Sequence, residues 1–181
     1  IVLFFVGMNT WLTHLRSTDW NNTLWLVVYP INGDGSPATQ RYIDSLSEHS
    51  FNGIESFIAN EARRYDIGIG EPVTIRLAPQ IQDRPPMPPD NASTPAIMLW
   101  SLKLRYWAFI KDNFDGPSPD IQMFVVYHDP EHSDRLRHSL GIRKGMIGVV
   151  NAFASPAMTS RNNVVIAHEF LHTVGASDKY D

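Results

Sequence analysis

His168-Glu169-Phe170-Leu171-His172-Thr173-Val174-Gly175-Ala176-Ser177-Asp178 reads H-E-x-x-H-x-x-G-x-x-D. Two histidines four apart stand about 40° from each other around a helix of about 3.6 residues per turn. Both imidazoles therefore leave one face and can share a metal ion, with Glu169 beside them as a candidate base. Upstream, Asn163-Val164-Val165-Ile166-Ala167 supplies the apolar first turns, and Asn162 or Asn163 is the expected cap. Downstream, Gly175 falls where the helix should stop, because glycine takes the left-handed conformation that turns a chain. That turn lets Asp178 come back toward the imidazoles, with Asp181 or a residue beyond it as the competitor for third ligand. At this chain's residue frequencies the short H-E-x-x-H form arises by chance about once in a hundred such sequences, and the form extended by Gly and Asp only a few times in about 100,000. The extended pattern therefore outweighs two packed histidines.

Working outward, the upstream chain reads as a mixed α/β scaffold. Residues 24–29, Leu-Trp-Leu-Val-Val-Tyr, form a buried strand closed by Pro30. Ser36-Pro37 begins a helix that carries Tyr42, Ile43 and Leu46 inward and ends near Ser50. A second helix follows, with Asn52 and Glu55 as a capping box and Ile54, Phe57, Ile58, Ala62 and Tyr65 at helical spacing. Residues 72–78 alternate as a half-buried strand. Six prolines between Pro79 and Pro95 make an extended surface loop. Residues 96–111 are long enough to be a crossover helix, 121–127 a third strand, and 144–153 a fourth. His128, Asp129, Glu131, His132, Asp134 and His138 crowd possible ligands into one stretch. They meet no recognised spacing, and Pro130 makes a solvated loop the expected structure. The order implies α/β (α+β) architecture: a small twisted mixed sheet backed by helices, with the active-site helix near the C-terminal end.

Composition narrows the function classes. At 181 residues, with 43% hydrophobic and 19% charged residues, the chain suits one ordered domain with a substantial core. A net charge of −4 and no Lys/Arg block argue against a nucleic-acid partner. The absence of cysteine excludes disulfides and thiolate metal sites. Residues 1–16 open on the apolar run Ile1-Val2-Leu3-Phe4-Phe5-Val6-Gly7-Met8, expected to be the end of a membrane or signal anchor. Residues 20–181 are then a catalytic domain held outside the cytoplasm, expected to continue past Asp181.

Zinc on His168, His172 and Asp178 would have three protein ligands and one open position, the signature of a catalytic rather than a structural site. Glu169 is the expected general base, and a peptide or protein the expected substrate. Residues 168–178 resemble the zinc-binding helix of the metzincin metallopeptidases, in the snapalysin-like variant with aspartate as third ligand. The resemblance implies zinc on His168, His172 and Asp178, Glu169 as general base, and a sheet whose edge strand binds extended substrate beside the helix. It also implies a methionine-containing turn beneath the metal, after the third ligand. The competing expectation is a non-catalytic, metal-binding accessory subunit of a membrane complex, docked through the N-terminal segment and the aromatic residues of 96–110.

Overall fold

β1 (Leu24–Asn32) is the strand about which the other elements are arranged. It runs three residues past Tyr29 because Pro30 interrupts nothing. Pairing with β2 (Val73–Leu77) has ended at Val28 and Leu77, and on that side the Pro30 carbonyl accepts the Ile81 N–H at 3.0 Å. The side of Pro30 that lacks a donor faces a loop, where a proline is tolerated. On its other side β1 continues in parallel register with β3 (Ile121–His128), down to Asn32 opposite Tyr127. β5 (Ile147–Phe153) adds in parallel to β3, and the short β4 (Leu140–Ile142) closes the edge antiparallel to β5. The sheet order is β2-β1-β3-β5-β4. The computed structural model describes residues 20–89, 93–132, 136, 138–142 and 146–178. The segment 1–16 expected as an anchor lies outside them, as does Asp181. Among the described residues, no helix is long and apolar enough to cross a membrane.

Both faces of the sheet are covered, which is why β1 and β3 read as unbroken apolar runs. One face packs Leu26, Val28, Met123 and Val125 against α1 (Pro37–Asp44), α2 (Asn52–Arg64) and α4 (Thr159–Thr173). The other packs Val27, Tyr29 and Phe124 against Leu104 and Ala108 of α3 (Thr94–Lys111). The Tyr29 hydroxyl, buried in that layer, donates to Asp112 just past the helix at 2.6 Å. The proline-rich loop lies alongside α3, where the Trp100 indole N–H donates to the Pro86 carbonyl at 2.9 Å.

The helices correct the sequence reading at four places. The helix expected to reach Ser50 stops at Asp44, and a 3₁₀ turn (Glu48–Phe51) follows. The serines explain the break: the Ser45 hydroxyl donates to the Tyr42 carbonyl at 2.6 Å, and Ser50 Oγ accepts the Ser47 N–H at 3.2 Å. The Asn52–Glu55 capping box does not form, because Asn52 is already helical. Glu55 instead accepts the Ile75 N–H at 2.7 Å, tying α2 to β2. Ile54, Ile58 and Ala62 are the buried stripe of α2, whereas Phe57 and Tyr65 stand 45% and 70% exposed. Phe57 flanks the stripe, and Tyr65 is the cap residue beyond it.

α4 itself starts at Thr159, after a 3₁₀ turn (Pro156–Met158), so neither Asn162 nor Asn163 caps it. Asn162 is buried inside the helix with its amide clasping one residue of β5. It accepts the Phe153 N–H at 3.1 Å and donates to the Phe153 carbonyl at 2.8 Å. Asn163 donates to the Ser50 carbonyl at 2.9 Å. Asn162→Leu strands two backbone groups at the end of β5, and should cost about 2–4 kcal/mol in a urea titration.

Candidate metal centre

The buried side of α4 sets where the motif points. Asn162, Ile166, Phe170 and Thr173 recur at intervals of four, four and three and face the core. Phe170 is fully buried, edge-on to Trp20 at 6.5 Å between ring centroids. His168 and His172 stand about 160° from Phe170 on either side, so fixing Phe170 inward turns both imidazoles out. Their rings meet nearly edge to face, at 85° and 4.5 Å between centroids.

The chain then reverses. The Ala176 N–H bonds the Leu171 carbonyl at 2.9 Å and the Gly175 N–H bonds the His172 carbonyl at 3.2 Å, a Schellman ending. Gly175 sits at φ +112°, a backbone angle that side-chain-bearing residues rarely adopt. The reversal returns Asp178 to the histidines. Its carboxylate oxygens lie 3.3 Å from His172 Nε2 and 3.7 Å from His168 Nε2, and the two Nε2 atoms are 3.0 Å apart. One atom from each residue falls within 4.8 Å of the others, the single such group among the described residues.

His172 Nδ1 lies 3.0 Å from the Ala176 carbonyl and must be the donor, since a carbonyl can only accept. In the neutral ring that leaves a lone pair on Nε2, and orienting a metal-binding imidazole through its other nitrogen is a recurrent device. His168 Nε2, His172 Nε2 and an Asp178 carboxylate oxygen are thus each able to present a lone pair to one point. Ligands bound tetrahedrally at about 2.0–2.1 Å would stand about 3.3 Å apart, close to the separations seen, and two imidazoles with one carboxylate are a zinc donor set. The residues fit the ion. The side chains of His168 and Asp178 are 47% and 36% exposed, so the centre opens to solvent.

Comparison with protein-family models, curated proteins and solved structures finds no match.

Glu169 is placed differently from its neighbours. It is 7% exposed and engaged in a contact of its own within the fold. On the open flank of α4, Ile54, Phe57, Val164, Ala167 and Leu171 line an apolar groove of about 470 Å³ with His168 at its rim. On its sheet side α4 lies against β5 and the edge strand β4. The Ala176 carbonyl is the site feature that residue types could not disclose, because any residue would supply it.

Directly after β3, Asp129 to His132 form a turn held by Asp34, and Asp129 within it is buried rather than solvated. Asp34 accepts the Asp129 N–H at 2.5 Å, the Ser36 N–H at 2.9 Å and the Thr39 hydroxyl at 3.2 Å. Asp129 in turn accepts the Glu131 N–H at 3.0 Å. A Cβ added at Gly33 beside this turn would lie 2.6 Å from the His128 ring and from Val126 Cγ1, so a larger residue there has to displace those side chains. Burial alone would raise the Asp34 carboxyl, but the Asp129 and Ser36 N–H groups and the Thr39 hydroxyl outweigh it and hold it below the ordinary carboxylate range. A depressed folded-state value adds stability that is present above the unfolded-state value and lost as pH falls through the folded one. Asp34→Asn should therefore lower the melting temperature at neutral pH and flatten its fall on acidification, as followed by circular dichroism.

Proposed function

We propose that this chain is a zinc-dependent peptide hydrolase of the metzincin type, with aspartate as the third ligand. The observation that carries this reading is the convergence of His168 Nε2, His172 Nε2 and Asp178, with His172 oriented by the Ala176 carbonyl. The antiparallel edge strand β4 beside the motif helix supports the fold side of the proposal. A free strand edge can pair with an extended peptide through main-chain hydrogen bonds, which suits β4 to hold substrate along α4.

In this reading His168, His172 and Asp178 hold the ion. Zinc supplies Lewis acidity there, for acidifying water and polarising a carbonyl. Asp178 brings a single negative charge, so the centre keeps net positive charge. The Glu169 carboxylate takes the proton of the attacking water and returns it to the leaving amine nitrogen. The groove beyond His168 has room for an apolar side chain of the peptide. The test is metal content together with cleavage of a peptide panel. A chelator should abolish cleavage, and about one equivalent of zinc should restore it. Cleavage that survives complete zinc removal contradicts the reading.

One observation favours a second reading, a metal-binding accessory subunit without catalysis. Glu169 is nearly out of solvent and already partnered. Stoichiometric zinc with no peptide cleaved, in wild type as in Glu169→Gln, would select it.

A further inference from the structure

Helix α3 carries an apolar surface that the described residues leave uncovered. Its buried line is Leu104 and Ala108, packed on the sheet. On the opposite side, Met98, Leu99, Leu102, Tyr106, Phe109 and Ile110 are between 51% and 80% exposed. At about 100° per residue these six fill an arc of roughly 120° centred opposite Leu104. Single exposed apolar residues are ordinary; six contiguous large ones on one helix face mark a surface that binds something. A helix apolar on both sides needs cover on both.

The charges indicate what covers it. Lys103 and Arg105 stand about 100° to either side of Leu104, so one cation borders each long edge of the apolar arc. The helix sequence Thr94–Lys111 contains no Asp or Glu, although the whole chain carries a net charge of −4. Two copies joined through this face would bring like-charged borders together. An anionic bilayer surface satisfies both features: acyl chains take the apolar arc, and lipid phosphates take Lys103 and Arg105, whose stems can lie along the apolar surface. Tyr106 at the centre of the arc has the amphipathic character that suits the headgroup boundary.

We propose that α3 is an interfacial helix that lies in the surface of an anionic membrane. Because α3 and α4 cover opposite faces of the sheet, the membrane lies on the side away from His168, His172 and Asp178. The site then faces the aqueous phase, open to soluble peptides.

The chain has no cysteine, so single probes can be placed without a background. Full-length Phe109→Cys and Val164→Cys, each bearing a polarity-sensitive fluorophore, are mixed with vesicles of phosphatidylcholine alone or with phosphatidylserine. Both positions are exposed, at 80% and 69%, and lie on opposite faces of the protein. The position 109 probe should shift blue and be quenched by spin-labelled acyl chains on the anionic vesicles, while that at 164 stays aqueous. Leu102→Glu with Phe109→Glu should weaken partitioning roughly tenfold or more, and Lys103→Glu should reduce the preference for phosphatidylserine. A tether through residues 1–16 holds the protein near vesicles without burying the position 109 probe, so an aqueous probe on vesicle-bound protein overturns the proposal. A probe already buried without vesicles also overturns it. Concentration dependence of that burial would assign the face to a second copy, and its absence to the chain's own residues.

Discussion

Glu169→Gln is expected to keep about one zinc per chain and to lower peptide hydrolysis by roughly 10²–10⁴-fold, the usual contribution of general acid–base catalysis. Glutamine preserves shape and removes the capacity to take a proton, together with the charge and one acceptor oxygen. A fall in the rate with the Michaelis constant and zinc content held would place the loss at proton transfer. Glu169 is buried and engaged in a contact of its own, so a structural role makes a different forecast. In that case the substitution would lower thermal stability of both metal-free and zinc-loaded protein, and activity would fall only in step with the folded fraction. Measuring the rate, the zinc content and the melting temperature on one preparation separates the two.

His172→Ala should have the largest effect on the metal. Its imidazole is the better sheltered of the two, with the side chain 22% exposed, and it contacts both other donors. Removal leaves one imidazole and one carboxylate, too few for a closed protein site. Zinc should drop from about one per chain to background after dialysis, and zinc-dependent cleavage should vanish with it. The fold should survive, because α4 is pinned by Asn162, Ile166, Phe170 and Thr173 on its other side. The melting temperature of the metal-free variant should stay within a few degrees of that of metal-free wild type, while the rise on adding zinc is lost. Collapse of the metal-free variant would instead make His172 a structural residue.

Much of the scaffold was legible because its signals are local. β1 and β3 announce themselves as apolar runs bounded by turns, α3 by its length, and the end of α4 by Gly175. The misreadings share a cause: polar side chains whose partners are distant in sequence. Glu55 looked like a cap and bonds Ile75; Asn162 looked like a cap and clasps Phe153. Ser45 and Ser50 ended and restarted a helix that periodicity alone would have continued. β4 was invisible because three residues carry no period, and its strand character comes only from β5. Within the site, spacing foretold that His168, His172 and Asp178 would meet. It could not foretell the Ala176 carbonyl that orients His172, nor the burial of Glu169. Both depend on how the helix end is folded and seated.

The most direct test of the three-ligand centre is zinc K-edge X-ray absorption on purified protein loaded with one equivalent of zinc. The expected spectrum shows nitrogen and oxygen donors at about 2.0–2.1 Å with the outer-shell scattering of two imidazoles. His168→Ala, left like His172→Ala with one imidazole and one carboxylate, should lose the bound zinc and its imidazole scattering, and the oxygen shell should change in Asp178→Ala. A shell without imidazole scattering, or one that all three substitutions at His168, His172 and Asp178 leave unaltered, would contradict the assignment of zinc to these residues.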